Sequence, residues 1–313
     1  MNSRAASAPT APQRPQRPRE MQDALNHYLY HPLAWQLARQ LARTPITPNM
    51  VSVVGGLMVV AAGFAYWGLS WPVGPLLGMV LHMTWHVVDG ADGDLARVTG
   101  RSSPLGEMVD GICDYASHIV LYVLLAIVLT RTIGPGWAWF WTLSAGVSHI
   151  VQSNHVEVQR RFYQYWTYGV PWLHHAKGAQ AGLFTDRRGG ARVLQAIASA
   201  YLRLASGMSP QALRIDAAVT AAMKAPGTSG PHDRLGAIRA AVQVEQRPLL
   251  GLLKLLGPNP RAIVLGLAML AGSPLYYFLY QTVVLNALLA VSVALHNRAA
   301  RRTAARIDAL PQG

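Results

Sequence analysis

The sequence predicts an all-α integral membrane protein: a six-transmembrane-helix bundle, an N-terminal interfacial helix, and a long cytoplasmic helical insertion between spans four and five. Three observations predict it. The 313 residues are 51% apolar and 13% charged. The apolar residues are gathered into the runs Val51–Leu69, Val73–Val88, Ile112–Leu129, Trp137–Val151, Ala262–Ala271 and Leu275–Leu295, several of them near the roughly 20 residues that a helix needs to cross a bilayer. Lys and Arg are also unevenly placed, which sets orientation. Arg4, Arg14, Arg17, Arg19, Arg39 and Arg43 precede the first run, Arg298, Arg301, Arg302 and Arg306 follow the last, and the long segment after the fourth is basic. The links at Ser70-Trp71-Pro72 and Gly272-Ser273 hold no charge. Both termini, the acidic cluster described below and the insertion are therefore expected on the cytoplasmic side of an inner membrane.

Residues 1–20, rich in Ala, Pro and Arg, read as a disordered basic tail. Residues 21–46 read as a juxtamembrane helix, because Leu25, Leu29, Leu33, Leu37 and Leu41 recur every fourth position, with a restart at Pro32. Either that helix lies in the interface or it packs on the cytoplasmic face of the bundle. Spans one to four make a core over 47–163. Thr47-Pro48-Asn49 opens span one as a helix start, with Thr47 the cap and Pro48 in the first turn. The insertion is 164–247, with one apolar helical face on Val193, Ile197, Tyr201 and Met208 and a second helical piece near Arg234–Glu245. Spans five and six occupy 248–297, turning at Ser273-Pro274, and 298–313 is a basic tail. The first 46 residues lack the apolar core of a secretory signal. The single cysteine, Cys113, rules out an intramolecular disulfide and a multi-cysteine zinc site.

Function is concentrated in one stretch. Six of the 14 acidic residues lie between Asp89 and Asp114. At helical spacing Asp89, Asp92, Gly93, Ala96 and Arg97 share one face, and Gly106, Asp110 and Asp114 share a face of the next helix. Gly100, Ser102, Ser103 and Pro104 supply the turn between them. The two faces then meet at the ends of spans two and three, and Asp89, Asp92, Asp110 and Asp114 make an all-oxygen site suited to Mg²⁺ or Mn²⁺, as one or two ions. Gly93 and Ala96 leave room for a ligand, and Arg97 offers a fork for phosphate. Asp94 points away from Asp92 and reads as a solvent-facing or supporting group. His82, His86 and His118 flank the cluster. Zinc is possible on their spacing, but the carboxylate-rich surroundings favour oxygen-seeking metals and packed histidines.

These residues fill the pattern D-x2-D-G-x2-A-R-x8-G-x3-D-x3-D at every fixed position, and the chain resembles the CDP-alcohol phosphotransferase family. The resemblance implies transfer of a substituted phosphate from a CDP-linked alcohol to a hydroxyl, with release of CMP. It implies two divalent ions on the four aspartates, Asp114 as general base, and Gly93, Ala96, Arg97, Gly106 and Asn49 as contacts of the nucleotide substrate. It also implies a lipid bilayer, a CDP-linked substrate and an alcohol acceptor as partners, and a homodimer. The long insertion departs from many members. CDP-diacylglycerol with a small polar alcohol (inositol, inositol phosphate, glycerol phosphate or serine) is the expected pairing, with a CDP-linked headgroup and a lipid alcohol as the alternative. His149, Gln152, Ser153, Gln159, Arg160 and Tyr163 form a polar stripe on the helix of span four, either lining an acceptor pocket or emerging into the cytosol. A divalent-metal transporter fits less well, since such sites usually sit at mid-membrane between repeated halves and no second half is present. Nucleic acid is not expected despite a formal charge of +13, because the basic residues follow membrane topology.

Overall fold

The computed structural model describes residues 17–171, 207–224 and 231–310. The apolar face expected on Val193, Ile197 and Tyr201 lies outside the described residues. Every regular element among the described residues is helical. The chain divides into two compact units, Met1–Leu125 and Ala126–Gly313.

In the first unit, the described residues start at Arg17. A 3-10 turn spans Arg19–Met21, and the Gln22 side chain ties it down, donating to the Arg17 carbonyl at 2.6 Å and pairing with His31 Nδ1 at 2.9 Å. A wide turn at Asn26–Tyr30, begun by a bond from the Asn26 N–H to Asp23, runs into helix α1 (His31–Leu41), with Pro32 in its first turn. Ala34 and Ala38, both fully buried, pack with Val51, Ala91 and Leu95. Leu29 and Leu33 remain over 40% exposed. A four-residue repeat drifts around a 3.6-residue helix, so Leu29 and Leu33 leave the packed face, while Ala34 and Ala38 hold it with Leu37 and Leu41 partly buried beside them. The helix thus packs on its neighbours through one face and keeps an apolar stripe open on another.

Helix α2 (Pro48–Gly68) starts with Thr47 in extended conformation, its hydroxyl accepting from the Met50 N–H. Helix α3 (Val73–Val98) runs ten residues beyond its apolar stretch and so carries Asp89 to Arg97. It stops at Thr99-Gly100, where Gly100 takes φ +65°, a conformation that glycine adopts without strain. Helix α4 (Pro104–Ile133) follows, its residues to Leu125 belonging to this unit.

Glycines let these helices approach. Gly56 of α2 faces the Cys113 carbonyl of α4, and Gly78 of α3 lies under the Tyr66 ring of α2, where an added Cβ would fall 2.4 Å from Cε1. Gly78→Ala must therefore push Tyr66 aside, at an expected cost of about 1–3 kcal/mol. Gly68→Ala, with open space around its Cβ position, should be close to neutral. Thermal unfolding in detergent checks the pair; equal melting temperatures would show that Tyr66 yields freely.

The second unit holds the end of α4 and helices α5 (Pro135–Tyr168), α6 (Ala212–Lys224), α7 (Pro231–Gln246), α8 (Leu250–Leu255), α9 (Pro258–Leu270) and α10 (Leu275–Asp308). Helix α10 includes a wider turn over Tyr280–Val284. Gly272, at φ +91°, and Ser273, whose hydroxyl accepts from the Leu275 N–H, make the expected turn before it. In the basic tail α10 continues to Asp308 with Ala300, Thr303 and Ile307 buried, and Arg306 pairs with Glu245 of α7 at 2.9 Å.

Three helical segments among the described residues, Pro48–Gly68, Met108–Ile133 and Leu275–Asp308, are long and apolar enough to cross a membrane. They coincide with the first, third and sixth predicted spans. The other three predicted runs are helical, in α3, α5 and α9.

The polar stripe of α5 turns inward. Gln152, fully buried, donates to the Gln281 carbonyl at 2.9 Å and to Asn286 at 2.7 Å. Arg261 reaches Ser153 at 2.7 Å and Gln152 at 3.2 Å. Gln159 bonds Ser209, and Tyr163 is buried. These groups are polar because they join α5 to α9, α10 and the start of α6 through hydrogen bonds, which an apolar interior requires of every buried polar atom. They do not emerge into solvent as the simpler reading would have it.

Candidate functional site

The extension of α3 past Val88 and the first turns of α4 bring the acidic residues together as helical spacing predicts. Carboxylate oxygens of Asp89, Asp92 and Asp110 all lie within 4.8 Å of one another. Asp92 and Asp110 come close enough to share a hydrogen bond. Two carboxylates approach so closely only when a proton or a cation lies between them. Fully ionised and uncompensated, each pair at this separation would repel by about 3–4 kcal/mol at an effective dielectric of about 20.

Burial away from water, reinforced by Asp114 and Asp110, pushes the Asp89 carboxyl well above the ordinary carboxylate range. Burial, with Asp110 the main charged neighbour, raises Asp92 to about 8. Three oxygen donors of this kind fit a hard divalent cation such as Mg²⁺ or Mn²⁺. The histidines do not form such a group. Among the described residues the aspartate trio alone brings metal-ligand atoms together, whereas His82, His86 and His118 pack tilted or edge-on around Trp85 with ring centroids 4.6–5.7 Å from it.

Asp114 lies beside the trio without joining it. It receives a hydrogen bond from the Trp85 indole, and its backbone carbonyl accepts from Ser117 at 3.0 Å and meets His118 Nδ1 at 2.8 Å. Trp85 is buried, its indole against Gly55 of α2, where a Cβ would fall 3.3 Å from Cδ1. Asn49, in the first turn of α2, comes against Gly106 of α4, its Oδ1 3.5 Å from where a Cβ would stand. Arg97 lies over Gly93 at ordinary contact distance, 3.5 Å from the position of a Cβ. Ala96 is half-buried. Asp94 is neither solvent-facing nor a member of the trio: its side chain is 2% exposed and holds both Arg97 and Arg17.

Three participants escape the sequence pattern. Ser52 of α2 donates to Asp92 Oδ2 at 2.5 Å, Trp85 bonds Asp114, and Arg17 reaches Asp94 from 77 positions away at 2.9 Å. Ser52 sits one turn after Pro48 and Trp85 one turn before Asp89, so periodicity offered a weak signal for both. Nothing in the sequence pointed to Arg17.

Residues 45–174 match the CDP-alcohol phosphatidyltransferase family. The match covers 130 of the 313 residues. The chain is 42% identical over 62 residues to an uncharacterized class-I family protein 2 of Dictyostelium discoideum, 19% of this chain and 14% of that one. It is 30% identical over 110 residues to choline/ethanolaminephosphotransferase 1 of Arabidopsis thaliana, covering 31% and 26%. It is 35% identical over 95 residues to an archaetidylinositol phosphate synthase of Aeropyrum pernix, covering 29% and 47%. The chain spans less than half the length of each of these relatives. Members of the family are phosphotransferase enzymes, generally dependent on divalent metal. The apolar helices and the family match together support an integral membrane protein.

Proposed function

We propose that this protein transfers a phosphatidyl group from CDP-diacylglycerol to the hydroxyl of a small polar alcohol and releases CMP. The observation that carries the reading is the convergence of Asp89, Asp92 and Asp110 within the region that matches the CDP-alcohol phosphatidyltransferase family. In this reading Asp89, Asp92 and Asp110, with Asp114 at their edge, hold one or two Mg²⁺ or Mn²⁺ ions. When bound, a divalent cation there would supply charge neutralisation for a diphosphate and for departing CMP. The remaining steps belong to the chain's own residues. Arg97, with Gly93, Ala96, Gly106 and Asn49, binds the nucleotide side of the substrate. Asp114 takes the proton of the acceptor hydroxyl as its oxygen attacks the phosphorus distal to cytidine. The new phosphorus–oxygen bond forms as the bond to the CMP phosphate breaks, and the proton remains on Asp114.

The same reading has six spans, with both termini and the carboxylates on the cytoplasmic side of an inner membrane, and the chain as a homodimer. Residues 47–163 then form the first part of the membrane core, 164–247 a cytoplasmic insertion and 248–297 the second part. Inositol, inositol phosphate, glycerol phosphate and serine are the acceptor candidates. The likeness to an archaetidylinositol phosphate synthase supports the inositol phosphate member. The likeness to a choline/ethanolaminephosphotransferase supports a second reading, in which a CDP-linked headgroup is passed to a lipid alcohol.

CMP release by purified protein in detergent tests both, with CDP-diacylglycerol offered against the polar alcohols and CDP-choline or CDP-ethanolamine against diacylglycerol. Metal-dependent release with one pairing identifies the reaction, and silence across all pairings overturns the proposal. Ser52→Ala removes the bond that orients Asp92 and is expected to weaken Mn²⁺ binding about 10- to 100-fold. Unchanged affinity in a Mn²⁺ titration would show that Asp92 needs no such support.

A further inference from the structure

Trp85 stands on α3 one turn before Asp89 and occupies no fixed position of the motif. It is 7% exposed, and a buried indole needs an acceptor for its one N–H. That acceptor is the Asp114 carboxylate on α4. The bond joins the helix that carries Asp89 and Asp92 to the carboxylate assigned as base.

The indole is caged where it makes that bond. Gly55 of α2 admits it on one side: a Cβ there would lie 3.3 Å from Cδ1 and 3.7 Å from Nε1. His86 and His118 meet the ring edge-on with centroids 4.6 and 4.9 Å away, and His82 lies tilted at 5.7 Å. These rings are themselves tied down. His118 Nδ1 donates to the Asp114 backbone carbonyl at 2.8 Å, and His86 Nδ1 donates to the His82 carbonyl at 3.2 Å. His86 also stacks on Tyr30, with 5.1 Å between centroids. The cage thus draws on α2, α3, α4 and the turn before α1.

We propose that Trp85 is a positioning residue that sets the turnover rate through Asp114. This rests on the functional reading above, in which Asp114 receives the proton of the acceptor hydroxyl. One indole N–H occupies one of about four lone-pair sites on a carboxylate, so the bond orients the group and leaves capacity for the incoming proton. Proton transfer requires the carboxylate within hydrogen-bond reach of the hydroxyl as it attacks, and a side chain free to rotate spends less time there. A partner whose own ring is locked by packing supplies that restraint. Gly55 and the three histidines act one step further out, by holding the indole.

The test is Trp85→Phe, which keeps a ring inside the cage and removes the N–H. Trp67→Phe makes the same change at an exposed position of α2. Each is assayed by CMP release with the preferred pairing, by Mn²⁺ titration and by thermal unfolding in detergent. Trp85→Phe is expected to lower kcat about 10- to 100-fold, as loss of a hydrogen bond to a charged group implies. KM for the CDP-linked substrate and Mn²⁺ affinity should each stay within about threefold, and Trp67→Phe should behave as wild type. Gly55→Ala presses a methyl group on the indole and removes no polar atom; it should lower kcat about three- to tenfold, again with KM and Mn²⁺ affinity in place. If Trp85→Phe melts well below wild type, Gly55→Ala decides, and full kcat in that variant overturns the proposal. The proposal fails also if a well-folded Trp85→Phe keeps full kcat, if its loss appears in KM or Mn²⁺ affinity instead, or if Trp67→Phe loses as much. Normal turnover by Asp114→Asn sinks it too, since Trp85 would have no base to act through. Wild-type protein that binds Mn²⁺ and releases no CMP with any pairing overturns the functional reading itself, a result distinct from an active wild type indifferent to Trp85.

Discussion

Asp114→Asn is expected to lower kcat for CMP release about 10²- to 10⁴-fold, the range that general-base catalysis contributes, while CDP-substrate binding survives. An alcohol hydroxyl is a poor nucleophile until its proton has somewhere to go, and an amide cannot receive it. The geometry is suited to that division of labour. Asp114 is outside the converging trio of Asp89, Asp92 and Asp110, so its carboxylate is not committed to the tightest part of the cluster. The Trp85 indole bonds it and holds its direction. Asparagine is close in size and still accepts a hydrogen bond at Oδ1, so a collapse of the fold is not expected. Full turnover at saturating substrate, with only binding weakened, would remove Asp114 from the base role and leave it as a ligand.

Loss of the cation should be as severe in turnover. Chelation is expected to suppress CMP release by at least about 10³-fold, because the several kcal/mol of charge stabilisation supplied by a metal disappear. Mg²⁺ or Mn²⁺ should restore it. Asp110→Asn is expected to be inactive, with Mn²⁺ binding reduced or lost. In chelator the same variant should unfold at a temperature equal to or above that of wild type, since it removes one like charge from a group crowded within 4.8 Å. A variant that loses activity and also melts well below wild type in chelator would show that Asp110 supports the fold by some other contact. The comparison distinguishes a site arranged for a cation from an acidic cluster held by protons.

Much of the site was legible because its grammar is local. Asp89, Asp92, Gly93, Ala96 and Arg97 fall on one helical face by spacing alone, and the turn at Gly100 is written in residue types that stop helices. The spans at Val51, Ile112 and Leu275 were legible for the same reason, since a long uncharged run has few alternatives to a buried or membrane helix. The packing of the basic tail was not legible, because its buried alanines at 299, 300 and 304 carry almost no hydrophobic signal. Their value comes from letting α10 approach α7. The same holds for α1, where leucines dominated the pattern while Ala34 and Ala38 made the contact.

The sequence by itself determined the helical class, the cluster of carboxylates and the family they resemble, because each depends on residue type and a repeat of three or four positions. Only the tertiary structure decided which groups serve that cluster from elsewhere. Ser52 reaches Asp92 across 40 positions and Arg17 reaches Asp94 across 77. The inward bonding of Gln152 to Gln281 and Asn286 spans still more. Such pairs obey no period. They are selected by the cost of leaving a buried charge or amide without a partner, and that cost is set only once the helices have packed.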